Sequence, residues 1–210
     1  MRGLPWALAL NFYELALFGL RPWWWRLHWA AFKGYRGLDP GRIVRDLGGD
    51  NPGALAYGET TCLALRQILE WAGLEPPARI LDLGSGRGLV VLASILQGFE
   101  AHGIELLSEY VQRARKVAAS LNLEADLQQA DMLQVEWPEV ELLLLNSTAF
   151  PSAVRHTLLS RMSDLSSLTQ IVTYDWMLPD DRFDLIHSGR LPVTWGTVLG
   201  RLYLLSSSPS

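Results

Sequence analysis

The sequence predicts an α/β fold, in which a mostly parallel β-sheet carries helices on both faces and follows a hydrophobic helical segment at the N-terminus. Short apolar runs typical of buried strands alternate with helical patterns from residue 79 to residue 174. A glycine-rich turn joins the first run, Arg79–Leu83, to an apolar helical stretch at Leu89–Leu96. The 210 residues are 49% hydrophobic and 19% charged, which suffices for one such domain and argues against disorder.

The N-terminal segment is apolar, aromatic and basic. Residues 4–20 are apolar except for Asn11 and Glu14, but the stretch is short for a membrane span and a carboxyl group is costly there. An Arg-Pro pair at residues 21–22 then breaks the helix before a basic aromatic cluster at residues 23–29. Two interpretations are open. The segment is an anchor or shallow hairpin at a membrane surface, or it packs on the following domain or in a dimer interface.

The predicted domain organisation has three parts. Residues 1–36 form the hydrophobic N-terminal segment, residues 37–56 a linker rich in Gly, Asp and Pro, and residues 57–205 the α/β domain. The first part carries five basic residues and one acid, whereas the whole chain has a net charge of −4. An acidic domain is not a typical nucleic-acid-binding surface, so we expect no nucleic-acid partner.

Turn residues and apolar periodicity place the other elements in order. Thr60 or Thr61 caps a helix that runs to Trp71 and ends at Gly73. Ser108 caps the helix after the second strand. The remaining expected elements are strands at residues 99–105, 125–130, 140–145 and 168–174, helices at residues 108–120 and 153–162, and a closing antiparallel pair at residues 183–187 and 194–205.

The glycine loop after the first strand indicates the kind of ligand. Gly84, Gly86 and Gly88 permit a tight turn, but the third glycine stands one position before that of the dinucleotide fingerprint. Asp82, two residues before the first glycine, suits a ligand with a positive charge. This pattern resembles the first motif of class I S-adenosylmethionine-dependent methyltransferases, whose ligand is a sulfonium cation. A purely structural turn in another α/β domain is the alternative.

Polar residues also follow the later strands, at the same edge of the predicted sheet. Glu105, nineteen residues after Gly86, can accept hydrogen bonds from both ribose hydroxyls of a nucleoside. Asp131 can accept from the exocyclic amine of adenine, and Met132 can pack on the ring. Asn146 ends the fourth strand, where it would face the reacting group. Solvated acids at strand ends are the alternative interpretation of Glu105 and Asp131.

Several motifs occur in a fixed order along the chain: Tyr57-Gly58-Glu59-Thr60, Asp82-Leu83-Gly84-Ser85-Gly86, Glu105, Asn146 with Phe150, and Val193-Thr194-Trp195. Together they resemble the non-SET histone-lysine methyltransferases of the disruptor-of-telomeric-silencing type, over about residues 53–205. The resemblance implies a class I methyltransferase (Rossmann-like) fold with a seven-stranded, mostly parallel sheet. It also implies the cofactor S-adenosyl-L-methionine.

The resemblance further implies a role for each matching residue. Tyr57 and the three residues after it would form a loop over the methionine end of the cofactor, and Asn146 and Phe150 would lie at the methyl group and the lysine channel. The implied catalytic residues are Asn146, Phe150 and Tyr57. The implied cofactor-binding residues are Tyr57, Gly58, Glu59, Thr60, Asp82, Gly84, Ser85, Gly86, Glu105, Asp131, Met132 and Asn146.

The acceptor implied by the resemblance is a lysine amine of a protein substrate. Ser147 and Thr148 stand where the family has a second Asn and an aromatic residue. Two alternatives stay open. One is an N-methyltransferase for an RNA base, glutamine or a small molecule, and the other is a non-catalytic, membrane-associated protein that binds the cofactor.

Cysteine and histidine usage bounds metal binding and location. Cys62 is the single cysteine, and the four histidines are scattered without ligand spacing, so we expect no metal site. One cysteine cannot form an intramolecular disulfide, which fits a reducing compartment. We therefore expect an intracellular, cytoplasmic protein, associated with a membrane surface if residues 1–36 form an anchor.

Overall fold

The computed structural model of the chain describes residues 4–38, 58–148, 150–179 and 181–205, and the description below is confined to them. Their helices are α1 (Leu4–Phe18), α2 (Pro22–Gly34), α3 (Cys62–Ala72), α4 (Leu89–Leu96), α5 (Ser108–Ser120) and α6 (Ser152–Ser163). Their strands are β1 (Arg79–Leu83), β2 (Glu100–Glu105), β3 (Asp126–Gln129), β4 (Leu142–Leu145), β5 (Gln170–Tyr174), β6 (Phe183–Val193) and β7 (Gly196–Leu205).

The strands form one seven-stranded sheet in the order β3-β2-β1-β4-β5-β7-β6. Strands β1 to β5 pair in parallel, and β7 pairs antiparallel with both β5 and β6. The prediction of a seven-stranded, mostly parallel sheet is therefore confirmed. The strand order reverses between β1 and β4, which opens a crevice at their carboxyl ends where ligands bind in folds of this type.

The core lies on both faces of the sheet, as alternation along β4 illustrates. Leu142 and Leu144 belong to the apolar cluster formed with α2 to α5, whereas Leu143 and Leu145 belong to the cluster formed with α6. Successive side chains of a strand point to opposite faces, so a strand of four leucines can only be stable when both faces are covered. All four leucines are buried.

The N-terminal helices pack on the α/β domain. Leu27 of α2 is 1% exposed and shares a cluster with residues of α3 to α5. The indole N–H of Trp6 donates to the carbonyl of Val193 at 3.0 Å, and the carboxylate of Glu14 accepts from the N–H of Leu63 at 3.0 Å. The N-terminal segment therefore packs on the α/β domain, as one of the two interpretations of the sequence predicted. Across the ranges given above, no helix has both the length and the apolar character needed to span a bilayer.

Some predicted boundaries are confirmed and others differ for local reasons. Thr61 is the N-cap of α3, and Gly73 ends this helix in the left-handed conformation. The predicted Ser108 cap is wrong, because Ser108 is already helical and the N-cap is Leu107. The closing pair is longer than expected on one side, since β6 stays paired with β7 as far as Val193. The expected linker, residues 37–56, lies outside the described residues beyond position 38.

Candidate active site

A cavity of about 420 Å³ opens at the carboxyl ends of β1, β2 and β4. Its volume falls within the range of about 300–1,000 Å³ that is typical of small-molecule sites. Tyr57 lies outside the described residues, but every other residue predicted for the site lines this cavity: Gly58, Glu59, Thr60, Asp82, Gly84, Ser85, Gly86, Glu105, Asp131, Met132, Asn146 and Phe150.

Glu105 braces the glycine loop. One carboxylate oxygen accepts from the N–H of Gly86 at 2.8 Å, and the other accepts from the N–H of Leu107 at 2.8 Å. Gly86 has φ = +54°, a left-handed conformation that favours glycine and turns its N–H toward the carboxylate. Burial raises the pKa of Glu105, and the backbone donors oppose that rise. Each oxygen retains lone-pair capacity, so hydroxyl groups in the cavity can still donate to it.

Asp82 places a second carboxyl group in the cavity at the end of β1. The residue is 8% exposed, and burial, followed by the charge of Glu105, raises its pKa to about 7. A cationic partner favours the ionised form of such a carboxyl group, because its charge offsets the effects of burial and of Glu105. The two acids therefore make this end of the cavity suited to a ligand with positive charge and hydroxyl groups.

The segment 58–60, called the lid strand below, closes one side of the cavity. Thr60 forms an antiparallel bridge with Val193, and the N–H of Thr194 donates to the carbonyl of Glu59 at 3.1 Å. The N–H of Glu59 in turn donates to the Thr194 hydroxyl at 3.0 Å. Gly58 lies flat against the ring of Trp195, which a Cβ at that position would overlap. The lid strand is thus held by the turn between β6 and β7.

An ion pair joins the lid strand to the glycine loop. The Nε of Arg87 donates to one carboxylate oxygen of Glu59 at 2.7 Å, and a terminal guanidinium nitrogen donates to the other. The Arg87 guanidinium also lies 4.5 Å from the centre of the Tyr35 ring, and the Tyr35 hydroxyl donates to the Arg87 carbonyl. Because Tyr35 follows α2, the N-terminal helices contact the loop that forms the cavity floor.

Asn146 directly follows β4 and contacts the lid strand, and Phe150 lies four residues further along the chain. The amide N–H of Asn146 donates to the carbonyl of Gly58 at 3.3 Å, which leaves its amide oxygen as an acceptor. Ser147 next to it is fully buried, and its hydroxyl donates to the carbonyl of Tyr174 at 2.8 Å. Position 147 therefore fixes β4 against β5, and position 146 remains the polar side chain directed at the cavity.

Asp131 and Met132 line the side of the cavity next to β3. The Asp131 carboxylate accepts from the N–H of Leu133 at 2.9 Å and from the side-chain amide of Gln134 at 2.7 Å. These bonds fix the turn that follows β3, so Asp131 has a structural role alongside the predicted contact with adenine. The two roles are compatible, because each carboxylate oxygen can accept more than one hydrogen bond.

Trp195 and Tyr110 also line the cavity, although the sequence predicts no role in the site for either residue. Trp195 stands within one of the motifs, and its contact with Gly58 joins positions that are distant along the chain. Tyr110 is 2% exposed and lies on α5, where the helical pattern indicates only a core position. An aromatic residue in the turn between two predicted strands is the sequence signal that singles out Trp195.

Comparison with known proteins gives a family match over most of the chain. Residues 51–187 match the family model described as "Histone methylation protein DOT1". A histone-lysine N-methyltransferase, H3 lysine-79 specific, from Cryptococcus neoformans is 29% identical in an alignment 142 residues long. The alignment covers 60% of this chain and 22% of that relative, so the chain spans less than a quarter of the relative's length.

Solved structures share the fold at lower identity. An RNA methyltransferase from Salinibacter ruber, in complex with S-adenosyl-L-homocysteine, has a TM-score of 0.60 and 24% identity, over 72% of this chain and 97% of that one. A magnesium protoporphyrin IX methyltransferase from Synechocystis with bound S-adenosylmethionine has a TM-score of 0.56 and 14% identity, over 80% and 99% of the two chains. One of these enzymes is named for RNA and the other for magnesium protoporphyrin IX, so the likeness extends to the fold alone.

Proposed function

The chain belongs to the family of the histone methylation protein DOT1, and from this premise we propose that it is an S-adenosyl-L-methionine-dependent methyltransferase that modifies a lysine amine of a protein. The observation that carries the proposal is the gathering of Asp82, Glu105 and Asn146 around one cavity. The three residues are far apart in sequence and differ in chemistry. Their convergence supports a site for a cationic nucleoside beside an amide that can orient an acceptor.

The residues of the cavity fit the cofactor. Asp82 supplies a buried carboxyl group for the ammonium end of its methionine part, and Glu105 supplies lone pairs for the ribose hydroxyls. Asp131 and Met132, on the β3 side, suit the amine and the ring of adenine. When bound, the cofactor would supply an electrophilic methyl group on a sulfonium, and all other contributions to catalysis come from the chain.

The role of the protein is to position and desolvate the acceptor. Phe150 and Trp195 wall the cavity with apolar surface that disfavours a charged lysine and so lowers its pKa. The amide oxygen of Asn146 can accept an N–H of the neutral amine and so direct its lone pair at the methyl carbon, in line with the breaking bond to sulfur. The lysine ammonium would lose a proton to solvent first. Its neutral nitrogen would then take the methyl group, and the electrons of the carbon–sulfur bond would remain on sulfur. No dedicated general base is required.

The test uses cofactor labelled in the methyl group, incubated with purified protein and an extract. Protein, nucleic-acid and small-molecule fractions are then separated, and labelled protein is hydrolysed to its amino acids. We expect label in methyllysine. The Asn146→Ala variant should lose at least about 100-fold in turnover, the cost of one oriented hydrogen bond in a transition state. Gln128→Ala, which removes an exposed amide on β3, is the matched control and should retain full turnover.

Other results of this experiment would contradict the proposed acceptor, the reaction or the role of Asn146. Label only in nucleic acid, in glutamine or in a small molecule would replace lysine as the acceptor. An absence of cofactor binding in calorimetry would contradict methyl transfer altogether and favour a protein without catalysis. Full turnover in Asn146→Ala would leave the reaction in place but contradict the role of this amide.

We further propose that the solvent side of the N-terminal helices docks on a membrane surface, parallel to its plane. Large apolar side chains are exposed there together with cationic groups, and the Lys33 ammonium lies 4.7 Å from the centre of the Trp29 ring. Aromatic residues mixed with Lys and Arg favour the interface between lipid headgroups and acyl chains. The exposed apolar residues are Leu8, Phe12, Tyr13, Leu15, Leu17, Leu20, Trp25, Trp29 and Phe32.

Flotation with vesicles of phosphatidylcholine and phosphatidylglycerol tests this docking. The protein should float with the vesicles, and more weakly at high salt because cationic contacts are screened. The double variant Trp29→Ser/Phe32→Ser should reduce binding at least tenfold, since it removes two stacked aromatic rings. The matched control, Leu168→Ser/Met177→Ser, changes two exposed apolar residues elsewhere and should bind normally. Equal binding by both variants, or none by the wild type, would contradict the proposal.

A further inference from the structure

A second cavity, of about 550 Å³, lies between the N-terminal helices and the α/β domain, behind the lid strand. Glu14 of α1, His28 of α2 and Cys62 of α3 meet at its wall. The proposed methyl transfer uses none of these residues. They come from three helices and carry three different donor atoms, a carboxylate oxygen, an imidazole nitrogen and a thiol sulfur.

The donor atoms converge on one point. The Nε2 of His28 lies 3.6 Å from a carboxylate oxygen of Glu14 and 4.0 Å from the Sγ of Cys62. All three donors lie within 4.8 Å of one another. A tetrahedral zinc ion, with bonds of about 2.0 Å to nitrogen and oxygen and about 2.3 Å to sulfur, would hold such donors about 3.3 to 3.5 Å apart. Side-chain movements of up to about 1 Å would therefore close the set around an ion.

Neighbouring groups already orient two of the three donors. The N–H of Leu63 donates to one oxygen of Glu14, so the other oxygen faces His28. The Trp24 ring packs against the His28 ring with 4.3 Å between their centres, which fixes the plane of the imidazole. Hydrogen bonds and packing contacts that orient the ligand side chains are typical of metal sites, because they reduce the conformational entropy lost when the ion binds.

We propose that Glu14, His28 and Cys62 form a three-donor site for zinc, with a water molecule as the fourth ligand on the cavity side. The ion would join α1 and α2 to the first turn of α3, which directly follows the lid strand. The three donors lie outside the methyl-transfer cavity, so zinc binding does not require methyl transfer.

A zinc site here departs from the expectation that the chain has no metal site. The sequence does not indicate the site because its three donors are far apart along the chain. The three donors stand at positions 14, 28 and 62, whereas the usual sequence signature of zinc depends on pairs of ligands separated by two to five residues. Two N-terminal helices that pack on the domain bring together donors for which no short motif exists. The set is also chemically ordinary for zinc, since sulfur, nitrogen and oxygen donors all occur in its protein sites.

Cobalt(II) provides a sharp test, because a bond between cobalt and a thiolate gives a charge-transfer band in the near ultraviolet. Cys62 is the single cysteine of the chain, so any such band from an untagged, full-length protein reports this residue. We expect one equivalent of cobalt to produce the band and one equivalent of zinc to abolish it. Cys62→Ser should remove the band, while His28→Ala and Glu14→Gln should each weaken zinc binding at least about 100-fold in competition with a chromophoric chelator.

His102→Ala is the matched control, because it removes another half-buried histidine that has a carboxylate partner far from the cluster. It should bind zinc with wild-type affinity. Thermal melting in EDTA checks that the variants fold, and zinc should raise the Tm of the wild type but not that of Cys62→Ser. No cobalt band in the wild type, or a band and affinity unaffected by His28→Ala, would overturn the proposal.

Discussion

Asp82→Asn should stabilise the cofactor-free protein at alkaline pH and weaken cofactor binding at the same time. Asp82 is buried beside Glu105, and its pKa of about 7 compares with an ordinary value of 3.8. Above pH 4 the unfolded chain therefore loses this proton more readily than the folded one. Folding becomes less favourable as pH rises from about 4 to 7, and it changes no further above that range. An asparagine side chain has nearly the same shape as the Asp82 side chain but carries no ionisable proton, so it does not contribute this pH dependence.

The structure sets the size of the effect. A shift from 3.8 to about 7 corresponds to an upper limit of about 4 kcal/mol at pH 8. Between pH 5 and pH 8 the advantage of Asp82→Asn over the wild type should grow by about 2–3 kcal/mol. Cofactor binding should change in the opposite direction. Losing a hydrogen bond to a charged group costs about 1.5–3 kcal/mol, which is about 10- to 150-fold in Kd.

Urea unfolding at pH 5 and pH 8 measures the first effect, and calorimetry measures the second. Calorimetry in two buffers of different ionisation enthalpy should also detect a proton released on binding near pH 6.5 by the wild type but not by Asp82→Asn. Asp181→Asn, an exposed acid, is the control and should change neither quantity. A variant that is less stable than the wild type at pH 8, or one with unchanged affinity, would refute the reasoning.

Three further substitutions test how the cavity is held. Glu59→Gln weakens the ion pair with Arg87, and we expect unfolding in urea to show a loss of about 1–3 kcal/mol because both groups are half-buried. Gly88→Ala should cost about 1–2 kcal/mol in the same assay, since φ is +68° and the new Cβ would lie 3.1 Å from Leu127; an unchanged midpoint would contradict the strain. Thr61→Ala removes the cap of α3 and should lower the Tm through a loss of about 1–2 kcal/mol, whereas Thr61→Ser should retain most of the stability.

Much of the fold and the position of the site were predictable because both depend on local patterns. The apolar run of β4 requires a strand covered on both faces, and Gly84 and Gly86 require a turn directly after β1. Parallel strands place their carboxyl ends at one edge, so Asp82, Glu105 and Asn146 could be expected to meet there. The structure brings all three to one cavity. Their individual roles toward cofactor and acceptor stay predictions.

Other features could not be predicted because they depend on contacts between distant parts of the chain. The contact of Gly58 with Trp195 requires the turn between β6 and β7 to lie beside the lid strand. No periodicity or spacing in the sequence around Gly58 or Trp195 indicates that these two residues are in contact.

The sequence by itself determined the succession of strands and helices, the glycine loop and the family resemblance, because each rests on short patterns of neighbouring residues and on their order along the chain. Only the tertiary structure decided how the N-terminal segment is used. One side packs on the domain through Leu27, and the carboxylate of Glu14 accepts from the first turn of α3. That packing also brings His28 and Cys62 to within reach of one ion. The physical reason is that helix packing depends on which faces meet, and composition and hydropathy do not encode that choice.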